Sequence, residues 1–263
     1  PSTQNDDGLW VSTYYRGIEY LNINNGQFTH YNKSTVPSLP SNQTWTVLDG
    51  GDNNLYIGHV GSGFSIFSLK DKSVKNFQNE TGNPASLPGN DVFCIIKDTN
   101  GNIWLGTNNG LALYNAANDN FITFRNNKND KYATLCSRIL SIRQLKDNRL
   151  WIASELNGIA ILNLKQGMFL SPEELSIEYI QEGDDSRSLS NASARCIFQD
   201  SFDNVWIGTW GGGINFISSK PPLFTTLSYS PIPNNENSLN NKVASSLCMD
   251  RQGRIWIGTD GGG

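Results

Sequence analysis

No segment of the chain approaches the roughly 20 consecutive apolar residues that a helical membrane span needs, and Pro1 to Trp10 is too polar for a signal peptide. A basic stripe is missing as well. With 20 Lys and Arg against 24 Asp and Glu, the net charge of −4 argues against a phosphate backbone as partner. Helical periodicity is absent apart from a turn near Pro172-Glu173-Glu174. No CxxC or Cys/His metal spacing occurs, so Cys94, Cys136, Cys196 and Cys248 read as unpaired small fillers of buried strands. Histidine is confined to His30 and His59. The 263 residues, 37% of them hydrophobic, therefore read as a soluble β-rich protein with a sizeable core, or as a piece of something larger.

What is abundant is repetition. Ile103-Trp104-Leu105-Gly106-Thr107, Val205-Trp206-Ile207-Gly208-Thr209 and Ile255-Trp256-Ile257-Gly258-Thr259 are near copies of one another. Trp10, Tyr56, Trp104, Trp151, Trp206 and Trp256 recur at separations of 46, 48, 47, 55 and 50 residues, a period that belongs to propellers and large solenoids. A second marker keeps step: Leu39, Leu87, Leu189 and Leu239, each after a serine, precede the motif aromatic by 17 residues. In the remaining unit Leu135 precedes Trp151 by 16, and the missing residue falls in the shortened turn Lys146-Asp147-Asn148-Arg149.

Each unit predicts four extended segments. In the third these are Val92 to Lys97, Ile103 to Thr107, Leu111 to Tyr114 and Phe121 to Phe124, separated by turn formers such as Asp98-Thr99-Asn100-Gly101 and Asn108-Asn109-Gly110. The expected fold class is an all-β propeller of four-stranded antiparallel blades, with repeats at approximately 1–36, 37–84, 85–132, 133–186, 187–236 and 237–263. The first unit opens in the turn before its second strand and the last stops after its second, so four whole and two partial blades of one propeller are expected, with open edges that favour self-association. Strand alternation sends Trp104 toward one neighbouring blade and Ile103 and Leu105 toward the other, with Gly106 leaving room for a close approach.

The pattern Asp-x-x-Gly-x-Ile-Trp-Ile-Gly-Thr-x-x-Gly at Asp250 to Gly262, with Ser-Leu upstream and Trp210-Gly211-Gly212-Gly213-Ile214-Asn215 in the preceding unit, resembles the two-component regulator propeller repeat. That resemblance implies a seven-bladed propeller in the periplasmic sensor of a hybrid histidine kinase. It also implies an oligosaccharide ligand and a homodimer that transmits the signal, with the membrane reached only through other parts of the protein. The chain itself has no kinase motif and calls for no cofactor or metal. Tyr56 in place of Trp, and Ile152-Ala153-Ser154 in place of Ile-Gly-Thr, depart from the pattern.

Strand parity locates a candidate ligand face without the resemblance. The loop entering strand one and the loop joining strands two and three lie at the same end of a blade. Tyr14, Tyr15, Arg16, His59, Asn108, Asn109, Glu155, Asn157, Trp210 and Asp260 fall there, a mixture of aromatic platforms and polar groups suited to a sugar. Two other readings stay open: a protein-binding scaffold, and a propeller lyase or hydrolase, for which His30 reads as an outer-strand residue and His59 as a loop residue. Asp98, Asp200 and Asp250 recur six residues before Trp and read as turn formers rather than calcium ligands.

Overall fold

Short β-branched and aromatic segments separated by Asn, Asp and Gly favour a meander, because each strand pairs with the one before it across a tight turn. A computed structural model describes residues 8–124, 132–164, 176–185, 187–220, 229 and 238–261. The chain divides into two compact units, 1–219 and 220–263.

In the first unit, blade 1 consists of β1 (Gly8–Thr13), β2 (Gly17–Asn22) and β3 (Phe28–Tyr31). Blade 2 is β4 (Thr44–Gly51), β5 (Asn54–His59), β6 (Phe64–Ser68) and β7 (Val74–Phe77). Blade 3 is β8 (Val92–Lys97), β9 (Ile103–Thr107), β10 (Gly110–Asn115) and β11 (Asn120–Thr123), the four segments its repeat predicts. Blade 4 comprises β12 (Ile139–Gln144), β13 (Arg149–Ser154), β14 (Ile159–Asn163) and β15 (Ile177–Ile180). Blade 5 has β16 (Ala194–Gln199), β17 (Val205–Thr209) and β18 (Ile214–Ile217). The fourth strand that its repeat predicts falls on residues outside those described, as does the turn near Pro172. The second unit carries β19 (Ala244–Met249) paired with β20 (Ile255–Thr259). All sheets are antiparallel meanders in chain order, and among the described residues none combines strands from the two ends of the chain.

The core lies between blades. Trp104, fully buried, packs with Leu113, Leu135, Ile139, Ile142 and Leu150 toward blade 4. Ile103 and Leu105 pack with Phe64, Leu87 and Val92 toward blade 2, as strand alternation requires. The Ser-Leu leucines share one task, since Leu39, Leu87, Leu135 and Leu189 each enter one of the four interblade clusters. The blades are also tied through the backbone. Gly17, Gly63 and Gly158, at φ +83°, +78° and +66°, donate their N–H to the carbonyls of Asn42, Asn90 and Ala192 in the following blade.

The recurring aspartates do more than shape turns. Asp98 Oδ1 accepts the backbone N–H of Asn100 and Asn102, while Oδ2 accepts the Trp104 indole N–H at 2.9 Å. Asp200 with Trp206 and Asp250 with Trp256 repeat this clasp at 3.0 Å. The indole and turn donors hold the carboxyls of Asp200 and Asp250 below their usual range. In blade 2, where Tyr56 replaces Trp, Gly50 replaces the aspartate, and a Cβ there would stand 2.5 Å from the Tyr56 ring. Blade 4, with its shortened turn, leaves the Trp151 indole N–H buried without a partner.

The motif glycine is held by the neighbouring blade. A Cβ on Gly106 would lie 2.5 Å from Cys94 Sγ, 2.7 Å from Ile139 Cγ2 and 2.9 Å from the Ile139 carbonyl oxygen on the inner strand of blade 4. Gly106→Ala is expected to destabilise the protein by about 1–3 kcal/mol, because a backbone carbonyl cannot rotate away as a side chain can. Urea unfolding checks this, and an unchanged midpoint would reject it. Cys94 and Cys196 sit opposite Gly106 and Gly208. The described cysteines are all unpaired, as expected, and burial pushes the Cys94 thiol up to about 12; Cys196 and Cys248, however, are exposed rather than buried.

Candidate functional site

The two loops that parity assigns to one end of each blade are joined there by a backbone hydrogen bond. The N–H of Val60, Asn108, Glu155 and Trp210 donates to the carbonyl of Gln43, Asp91, Arg138 and Ser193 respectively, at 2.9–3.0 Å. Asp260 makes the same bond to Val243 within the second unit. Each donor stands four residues after its motif aromatic and each acceptor 13 before it.

Between these positions every inner strand is bulged. The register of β4, β8, β12, β16 and β19 skips one residue, and the extra residue is Trp45, Phe93, Leu140, Arg195 and Ser245 in turn. All five lie 11 residues before their motif aromatic. A bulge takes a residue out of the interblade alternation and re-aims its side chain. This position therefore escapes the packing demand that makes its neighbours uniform.

The side chains at these places form a continuous band across blades 1 to 5. Tyr14 touches Tyr15 edge-on, with centroids 4.7 Å apart, and Trp45 at 6.3 Å. Trp45 meets Phe93 edge-on at 5.4 Å. The Arg138 guanidinium lies 5.5 Å from the Phe93 ring and bonds Glu155 Oε2 at 3.0 Å. Glu155 Oε1 accepts from Arg195 at 3.2 Å, and the Arg195 guanidinium lies 4.6 Å from the Trp210 ring. Trp210 and Trp45, 68% and 49% exposed, offer broad ring area to solvent. Aromatic platforms beside fixed guanidinium and carboxylate groups are what a polar, ring-shaped ligand requires.

The sequence-derived candidates divide accordingly. Tyr15, Glu155 and Trp210 belong to the band, together with Tyr14. Arg16 is exposed beside them, its N–H bonded to Thr13 Oγ1. Asn109 Nδ2 donates to the Pro88 carbonyl and Asn157 Nδ2 to Ser137 Oγ, so these amides hold loops. Asn108 Oδ1 likewise accepts the Asp91 N–H. Asp260 lies in the second unit. His59 is corrected. It stands three residues after Tyr56, in the place of Thr107, Ser154 and Thr209, and is fully buried. One step along a strand turns a side chain to the opposite face. The loop position of blade 2 belongs to Val60 instead. His59 Nε2 bonds the Ser65 hydroxyl at 2.8 Å, which in turn donates to Asn76 Oδ1. His30 is exposed in the outer strand β3, 3.2 Å from Glu19.

Trp45, Phe93, Arg138 and Arg195 were not among the sequence candidates, although aligning the repeats at the positions 11 and 13 residues before the aromatic displays their variation. At the other end of blades 4 and 5, a cleft of about 450 Å³ is lined by Lys146, Asp147, Arg149, Trp151 and Asp203. Its charges are already paired, Lys146 with Asp203 and Arg149 with Asp147.

The model of the two component regulator propeller repeat matches residues 86–109, 188–211 and 238–261. The extracellular domain of the hybrid two component system BT3049 from B. thetaiotaomicron is 60% identical, with a TM-score of 0.71 over 100% of this chain and 31% of that one. The corresponding domain of BT4673 from the same organism is 19% identical, with a TM-score of 0.61 over 96% of this chain and 30% of that one, a likeness of fold alone. Histidine kinase P4 of Formosa agariphila is 33% identical over 92 residues, 34% of this chain and 7% of that protein. The chain thus spans less than a third of the structures and a small part of the kinase that it resembles.

Proposed function

Because this chain belongs to the two-component regulator propeller repeats, we propose that it is the ligand-sensing part of a periplasmic sensor domain, binding an oligosaccharide and passing the signal, through a homodimer, to a histidine kinase outside this chain. The observation that carries this reading is the band running from Tyr15 to Arg195 and Trp210, contributed by five successive blades at one end of each. Pyranose rings stack on exposed aromatic faces, and the Glu155 and arginine groups bond hydroxyls in fixed directions. Contacts spread over five blades also make binding sensitive to how the blades sit against one another. That sensitivity is what a sensor must convert into a signal.

Trp45→Ala and Trp210→Ala are each expected to weaken oligosaccharide binding about tenfold, with little change in thermal stability because both rings are substantially exposed. Calorimetry on the full-length protein against a panel of plant, algal and host oligosaccharides measures this. Unchanged affinity in both variants would remove the band as the site.

A further inference from the structure

The charges within the band are unbalanced, and the imbalance selects among sugars. Glu155 is one carboxylate facing two guanidinium groups, with each of its oxygens taken by a different arginine, Arg138 at 3.0 Å and Arg195 at 3.2 Å. Arg195 rests against Trp210 and carries a buried Nε–H with no hydrogen-bond partner. Its side chain is 35% exposed and that of Arg138 is 44% exposed, so both remain reachable from solvent. Arg16 adds a third cation beside Tyr15. Other carboxylates in the loops at this end are Glu80, Asp91, Glu182, Asp184 and Asp185. Asp91 Oδ1 accepts the Gly61 N–H at 2.7 Å, Glu182 Oε2 the Ala192 N–H at 2.8 Å and Asp185 Oδ1 the Arg187 N–H at 2.7 Å. Arg138 and Arg195 form their ion pairs, among the described residues, with Glu155. Among the described residues the row from Arg138 through Glu155 to Arg195 thus sets two guanidinium groups against one paired carboxylate, and it lies between the aromatic platforms Phe93 and Trp210.

We propose that the ligand of this band is an anionic oligosaccharide, whose carboxylate or sulfate is gripped by Arg138 and Arg195 while neighbouring sugar rings stack on Trp45, Tyr14 and Trp210. This rests on the sensing reading above and narrows its ligand class. The protein supplies the template for the contact. Glu155 is held by the two forks from one side, and a ligand anion completes the alternation of charge from the other. Partial burial against aromatic rings strengthens the pairing relative to open solvent.

The test uses the full-length protein and matched oligosaccharides: uronate-containing chains and the same chains after carboxyl reduction, together with sulfated chains and their desulfated forms. An acidic member is expected to bind at least about tenfold more tightly than its neutral counterpart, with affinity falling as salt rises. The series that shows the difference identifies the anion as carboxylate or sulfate. Arg195→Met is expected to abolish the preference for the acidic form, and Arg195→Lys to restore part of it, with both variants unfolding at the temperature of the parent. Neutral chains that bind as tightly as acidic ones, lost on Trp210→Ala but not on Arg195→Met, would overturn the anionic inference and leave the sensing reading standing. Failure of every acidic and neutral chain to bind would overturn both.

Discussion

Trp104→Ala is expected to destabilise the protein by about 3–5 kcal/mol, which lowers the midpoint of thermal unfolding by on the order of 10 °C in a unit of this size. Two losses add. The ring is fully buried between blades 3 and 4, so truncation leaves a cavity lined by Leu113, Leu135 and Ile139. It also removes the indole N–H from Asp98, a buried carboxylate that is left with its turn donors only. Trp104→Phe keeps most of the ring and loses only the N–H, so its smaller deficit isolates the clasp. Trp206, which carries the same motif but is 40% exposed, is expected to lose less on truncation to Ala. Chemical denaturation of the three variants provides the ranking. Equal losses at Trp104 and Trp206 would contradict the assignment of stability to interblade burial.

His59→Thr is expected to remove a pH dependence of stability worth about 3 kcal/mol. Burial lowers the His59 pKa from 6.5 to about 4, a change only partly opposed by the Gln43 backbone. The neutral ring is therefore favoured in the folded state. The unfolded chain binds the proton more readily, so the contribution is fully present above pH 6.5 and is lost as pH falls from 6.5 through 4, at about 1.4 kcal/mol per unit. Thr is the residue of the equivalent place in blades 3 and 5, where Thr107 and Thr209 donate to the carbonyls of Gly110 and Gly213. Carboxylates titrate in the parent and the variant alike. The measurement is thus the difference between their unfolding free energies across pH 4 to 7, and a flat difference would show that His59 is not buried as a neutral ring.

Much of the fold was legible in the residues. The strands of blade 3 begin and end within a residue or two of their predicted limits, because turn formers and β-branched runs act locally. The opposite destinations of Trp104 and of Ile103 and Leu105 followed from strand alternation alone. The band of aromatic and arginine side chains was legible only in part. Tyr15, Glu155 and Trp210 lie in loops, where variation against a constant motif marks them. Trp45, Phe93 and Arg195 were hidden because they lie on or beside inner strands that read as packing segments. His59 was misplaced by one residue, enough to turn it from the open face into the core.

Local pattern alone decided the repeat, the strands and the faces they bury, since each depends on side-chain spacing along a single strand. The tertiary structure decided the rest. Whether a residue such as Arg195 leaves the alternation depends on its pairing with β17, and whether Asp98 makes a turn or a clasp depends on where the Trp104 ring comes to lie. The row from Tyr15 to Trp210 exists only once five blades stand side by side. Residues dozens of positions apart in the chain are brought within contact distance by the stacking of sheets, and no local property of the sequence encodes that approach.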